Sequence, residues 1–155
     1  MPYSNIETLR ALIHSSARYL DDRCYTNFTE LFCDDGEYRI ETIAPECPAP
    51  MIWMLLSREE MIDRFEAAPK HEWQIANIPE QSRLVAVDTI DIDESDAQTS
   101  STFCLFHTEE DGQSHCYAVG RYEDYWIQSD NSWKLRRRTV NLKTRMLPIP
   151  SPLPI

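Results

Sequence analysis

Tyr19, Asp22 and His107 are the residues whose types could together do chemistry. A phenol, a carboxylate and an imidazole gathered in an apolar cavity are what proton abstraction next to a carbonyl requires, each in an acid–base role. Tyr38, Trp53, Tyr117 and Trp126 are the aromatic side chains that could line such a cavity. Spacing alone does not bring these groups together, and aromatic residues at alternating positions serve more often as core than as catalysts.

Other patterns carry less. Cys104-Leu-Phe-His107 has the Cys-x-x-His spacing of half a Rieske iron–sulfur site, but a second Cys and His pair is missing, and positions 104 and 107 of a strand face opposite sides. The histidines at 14, 71, 107 and 115 form no His-x-x-x-His, which leaves zinc and an iron facial triad unsupported. Asp91, Asp93, Glu94 and Asp96 lack the sixth-position glycine of a calcium loop, and Thr102 stands where its bidentate Glu belongs, so a solvated hairpin turn is expected. Three glycines provide no nucleophile elbow, phosphate loop or dinucleotide motif.

With 155 residues, the chain is sized for one globular domain. Its net charge of −11 leaves only a short basic cluster, Lys134 with Arg136 to Arg138, so nucleic acid is not an expected partner. The longest apolar run, Met51 to Leu56, is too short to span a membrane. The opening residues show no basic region followed by an apolar stretch, and the five cysteines include no Cys-x-x-Cys. A reduced, cytoplasmic protein without a secretory signal is expected.

Positioning any of these side chains falls to the secondary structure. Ser4 and Glu7 form a capping box that starts a helix, with Ile6, Leu9, Ile13, Ala17 and Leu20 as its apolar stripe. A second helix is expected from Tyr25 to Phe32, ended by a turn at Asp34-Asp35-Gly36. Glu37 to Ile43 alternates as a strand with Tyr38, Ile40 and Thr42 on one face. A second capping box, Ser57 with Glu60, opens a third helix that buries Met61, Ile62 and Phe65 and closes at Pro69. Ser82–Ile92, Ala97–His107, Ser114–Gln128 and Trp133–Lys143 then read as strands of an antiparallel meander. The fold class is α+β: a curved antiparallel sheet of four to six strands wrapped around N-terminal helices as a cone, over residues 1–146.

Residues 147–155 are a Pro-rich extended tail, with proline at every second position from 148 to 154. Leu147, Ile149, Leu153 and Ile155 would each cost about 1 to 3 kcal/mol to leave in water. They are expected to dock, either on their own domain or across a subunit interface. In the last strand, alternation puts Trp133, Leu135, Arg137 and Thr139 on one face and Lys134, Arg136, Arg138 and Val140 on the other. A solvated face, or ion pairs to the acidic remainder, is the expected use of this basic run, and Arg136 and Arg138 are the interface candidates within it. An inward arginine paired with Asp22 or Asp124 would instead fix packing.

Three segments in order carry a resemblance that spans nearly the whole chain. Tyr19-Leu-Asp-Asp-Arg-Cys-Tyr25, continuing through Phe28-Thr-Glu-Leu-Phe32 to Asp34, Asp35 and Tyr38, resembles the opening of the β (small) subunits of Rieske-type aromatic-ring-hydroxylating dioxygenases. Ser57-Arg-Glu-Glu-Met-Ile-Asp-Arg64 is similar to that family's helix after the first strand, and Asn131-Ser-Trp-Lys-Leu-Arg-Arg-Arg-Thr-Val140 to its last strand. The resemblance implies the cone fold shared with nuclear transport factor 2 and ketosteroid isomerase, and a subunit without its own cofactor or active site. It further implies a large α subunit that carries the iron–sulfur cluster and the mononuclear iron, commonly with three chains of each kind. The competing readings are a stand-alone dehydratase or isomerase of the same fold that uses Tyr19, Asp22 and His107, and a cone that merely binds a small molecule.

Overall fold

The Ser4 side-chain oxygen accepts from the Glu7 amide at 3.3 Å, and α1 (Asn5–Asp21) begins there. The structure, a computed structural model, describes residues 4–67, 78–148 and 153–155. Leu9, Ile13, Ala17 and Leu20 form the buried stripe of α1, whereas Ile6 in the first turn stays at the surface. Arg23 adopts a left-handed conformation that turns the chain into α2 (Tyr25–Glu30).

α2 ends earlier than the sequence suggests, because Phe32 already belongs to β1 (Phe32–Thr42). Asp34-Asp35-Gly36 is not a turn before the strand but an irregularity within it: β1 slips register with β6 (Ser132–Leu142) between Phe32 and Glu37. Gly36 permits this excursion, since a Cβ there would stand 2.8 Å from the Cys33 carbonyl oxygen and 2.9 Å from the Phe32 Cβ. Beyond it, Tyr38, Ile40 and Thr42 face inward as their alternation requires.

β2 (Met51–Ser57) pairs antiparallel with β1 and leads into α3 (Arg58–Ala67) through a complete capping box. The Ser57 amide donates to Glu60 Oε2 at 2.8 Å, and the Glu60 amide donates to Ser57 Oγ at 3.2 Å. Met61 and Phe65 are buried and Ile62 partly so. Pro69, the expected stop, lies outside the described residues.

The remaining strands are β3 (Glu80–Asp93), β4 (Asp96–Thr108), β5 (Ser114–Ser129) and β6. The six-stranded order is β2-β1-β6-β5-β4-β3, curved but not closed into a barrel. The expected meander occupies β3 to β6; the β1–β6 pair is parallel, joining the first hairpin to the last strand of the meander. The fold is α+β with the helices inside the curve, so the inner sheet face and α1 to α3 enclose one core.

A bulge in β6 corrects the face assignment of its basic run. Trp126 pairs with Leu135 but Tyr125 pairs with Arg137, which leaves Arg136 as an extra residue. Trp133 and Leu135 point inward as expected, then the phase flips and Arg138, Val140 and Leu142 share the inner face with them. Arg137 and Thr139 fall on the other side.

Candidate functional site

Arg138 is the largest consequence of that phase flip. Its side chain is wholly buried, and its Nε and Nη2 donate to the two carboxylate oxygens of Asp124 at 2.8 and 2.7 Å. Its Nη1 donates to Ser16 Oγ on α1 at 2.9 Å, and the guanidinium carbon lies 4.5 Å from the centre of the Tyr122 ring. Burial opposes the charge of Arg138, but the Asp124 carboxylate and its hydrogen bonds, together with Tyr122 and Tyr38, outweigh it, so the guanidinium keeps its proton above its usual range. Arg138 is thus no surface candidate, and of the two carboxylates the sequence offered for an inward arginine, Asp124 is the partner. Arg136 does reach the surface, where it pairs with Asp35 at 2.7 Å across the irregular stretches of β6 and β1.

Beside this pair stands a second buried guanidinium. Arg83 on β3 donates from its backbone to Asp21 Oδ2 at 2.9 Å and from Nη1 to Asp21 Oδ1 at 2.6 Å. Its Nη2 donates to the Pro154 carbonyl at 2.9 Å. Tyr38 completes the contact: its hydroxyl donates to the Ile155 main-chain oxygen and accepts from the Ile155 amide, both at 2.9 Å. Burial pushes the Tyr38 phenol above its usual range. Leu153 and Ile155 are buried in the core of their own chain, and Leu147 packs partly against it. These two terminal residues, proposed from the sequence as interface candidates, are therefore internal; Ile149 lies outside the described residues.

The structure does not assemble the acid–base set. His107 is buried on the inner face of β4, stacked on Tyr117 at 3.9 Å, with Gln81 Nε2 3.4 Å from its Nε2. Burial, reinforced by the His115 and Arg83 charges, lowers its pKa to about 4. Asp22 is exposed and pairs with Arg18 at 3.6 Å, while its neighbour Asp21 turns inward to Arg83. Tyr19 is half-buried at the edge of the core. Of the aromatic candidates, Tyr38, Tyr117 and Trp126 are internal, Trp126 donating to Thr99 Oγ1 at 3.0 Å, whereas Trp53 sits on edge strand β2 with 40% exposure.

Sequence reasoning missed Arg83, Asp21 and Tyr122. One signal existed: Arg83 is in phase with Val85 and Val87, which places a cation on the apolar face of its strand. Cys104 and His107 do point to opposite faces, and the five cysteines are free thiols. Among the described residues no group of three or more His, Cys, Asp or Glu is placed to hold a metal ion. No described helix is long and apolar enough to cross a membrane.

A family model described as a SnoaL-like domain matches residues 3–139. The chain is 24% identical over 148 residues to the beta subunit of 2-aminobenzenesulfonate 2,3-dioxygenase of Alcaligenes sp, covering 96% of this chain and 97% of that one. It is also 24% identical over 157 residues to the hydroxylase beta subunit of methanesulfonate monooxygenase from Methylosulfonomonas methylovora, covering 96% and 86%. Among solved structures, a protein of Novosphingobium aromaticivorans described as the beta subunit of an aromatic-ring-hydroxylating dioxygenase superposes with TM-score 0.78 at 22% identity over 90% of each chain. A nuclear transport factor 2-like protein with a cystatin-like fold from the same organism superposes with TM-score 0.68 at 17% identity, over 92% of this chain and 84% of that one. At these identities the structural likeness establishes the fold.

Proposed function

The chain belongs to the SnoaL-like domain family, and from that premise we propose that it is the non-catalytic β subunit of a multicomponent aromatic-ring-hydroxylating oxygenase. It supports assembly of a large α subunit that carries the iron–sulfur cluster and the mononuclear iron, in the cytoplasm, with β chains associating as a trimer. Aromatic compound catabolism is the setting. One observation carries the reading: the cone interior is filled by the chain's own Arg138–Asp124 pair, aromatic rings and residues 153–155, while Asp22 is exposed and paired with Arg18. Full-length similarity to two oxygenase beta subunits supports the same conclusion.

A His107→Ala exchange in the assembled oxygenase tests it. A supporting subunit leaves turnover per assembled complex within a few fold. In a dehydratase or isomerase that relies on His107, losing the base costs roughly 100-fold or more.

A further inference from the structure

The six-stranded sheet ends in two edge strands, β2 and β3, and β2 is the unguarded one. Native edges carry charges, prolines or a covering element, because an open apolar edge invites pairing with another chain. β3 has such protection: α1 packs along it, Asp21 takes the Arg83 amide, and Asp88, Asp91 and Asp93 lie within it. β2 reads Met-Ile-Trp-Met-Leu-Leu from 51 to 56, without one charge or proline. Ile52 is 52% exposed, and Trp53, Leu55 and, just beyond β1, Ile43 are exposed with it. A contiguous apolar patch holding an aromatic ring is the composition of an interface core.

A second apolar cluster lies on the outer face at the other side of the sheet. Leu84 on β3 pairs with Cys104 on β4, which pairs with Val119 on β5, and cross-strand partners share a face. Phe106, two residues along β4, joins the same face, and Leu84 is 69% exposed. Polar strands separate the two clusters: Arg39 on β1 bridges Glu37 and Glu41 at 3.4 and 3.7 Å, and β6 adds Arg137 and Thr139. The rims of the clusters are opposite in charge. Lys143, whose amide donates to the Val119 carbonyl at 2.9 Å, borders the face cluster, and Glu59, just past β2, borders the edge cluster. Both are exposed and unpaired among the described residues.

We propose that β2 of one copy seats on the Leu84, Cys104 and Val119 row of a second copy, and that repeating this edge-on-face contact closes a ring of three. The inference rests on the trimer proposed above and names its contact. A threefold ring is heterologous, so each copy presents one surface to the next and a different one to the last. The two sides of this sheet offer such a pair, apolar at both centres and complementary in charge at the rims. Seating β2 in this way also covers the edge that the single chain leaves open.

Ile52→Lys spoils the edge and Leu84→Lys the face, at positions that are exposed in the single chain. In sedimentation equilibrium of the full chain, the unaltered protein is expected as a trimer and each variant as a monomer, with association weakened at least about thirtyfold. An equimolar mixture of the two variants then identifies the contact. The intact edge of the Leu84→Lys chain fits the intact face of the Ile52→Lys chain, so the mixture gives a one-to-one dimer that cannot grow. The proposal is overturned if either variant stays trimeric, if the mixture stays monomeric, or if the unaltered chain is itself a monomer. None of these outcomes bears on whether an iron–sulfur protein co-purifies, so the contact can fail while the subunit reading stands. Should a lysine variant not fold, glutamine at the same position faces the same criteria.

Discussion

Arg138 and Asp124 form a two-pronged ion pair, at 2.8 and 2.7 Å, between adjacent strands with both side chains wholly buried. The pair ties the inner face of β5 and β6 to Ser16 on α1 and sets how the first helix sits in the curve of the sheet. Breaking one half of such a pair leaves an uncompensated buried charge, and that cost exceeds the net value of the intact pair.

Asp124→Ala is therefore expected to lower stability by about 3–5 kcal/mol. The double exchange Asp124→Leu with Arg138→Met, which removes both charges and keeps volume, restores most of that loss. Urea unfolding of the three chains measures it; a double variant no more stable than Asp124→Ala would contradict the account.

Gly120 on β5 is buried where a Cβ would press on the Asn141 carbonyl oxygen of β6 and lie 3.0 Å from the Phe103 ring. Backbone cannot yield as a flexible side-chain end can. Gly120→Ala should cost about 1–3 kcal/mol of stability, the usual range for overpacking. A midpoint in urea equal to that of the unaltered chain is the contrary result.

Ser57 and Glu60 satisfy each other's backbone amides at the start of α3. Ser57→Ala is expected to destabilise the chain by about 1 kcal/mol, and Ser57→Asp, which can still cap, by much less. Denaturation of the two variants side by side checks this.

That cap was readable from sequence because it is a local contract: two side chains, three positions apart, serve two amides. The strand boundaries from β3 to β6 were readable for a similar reason, since alternation and turn residues are local. What escaped were changes of phase. Arg136 is one extra residue in β6, and it exchanges the faces of Arg137 and Arg138. Gly36 lets the four residues Cys33 to Gly36 bulge within a strand where Asp34-Asp35-Gly36 suggested a turn. Asp21 rather than its neighbour Asp22 meets Arg83, a choice set by helix rotation against β3, a distant element. The contact of Ile155 with Tyr38 joins residues far apart in the chain, and nothing at either position announces it.

His107 has a folded pKa of about 4 against an ordinary 6.5. Between those values the unfolded chain binds a proton that buried His107 refuses. Its contribution is fully present above about pH 6.5 and is lost progressively as pH falls toward about 4. His107→Phe keeps a ring against Tyr117 and removes the titration, so it should lose less stability than the unaltered chain between ~pH 7 and ~pH 5. Equal losses would mean that His107 is protonated in the fold.

The decisive measurement is affinity purification of the tagged chain from its native host grown on aromatic compounds, with iron and acid-labile sulfide assayed in the eluate. The account predicts a larger iron–sulfur protein that co-elutes near one-to-one. Elution of the chain alone and free of iron under inducing conditions would contradict it.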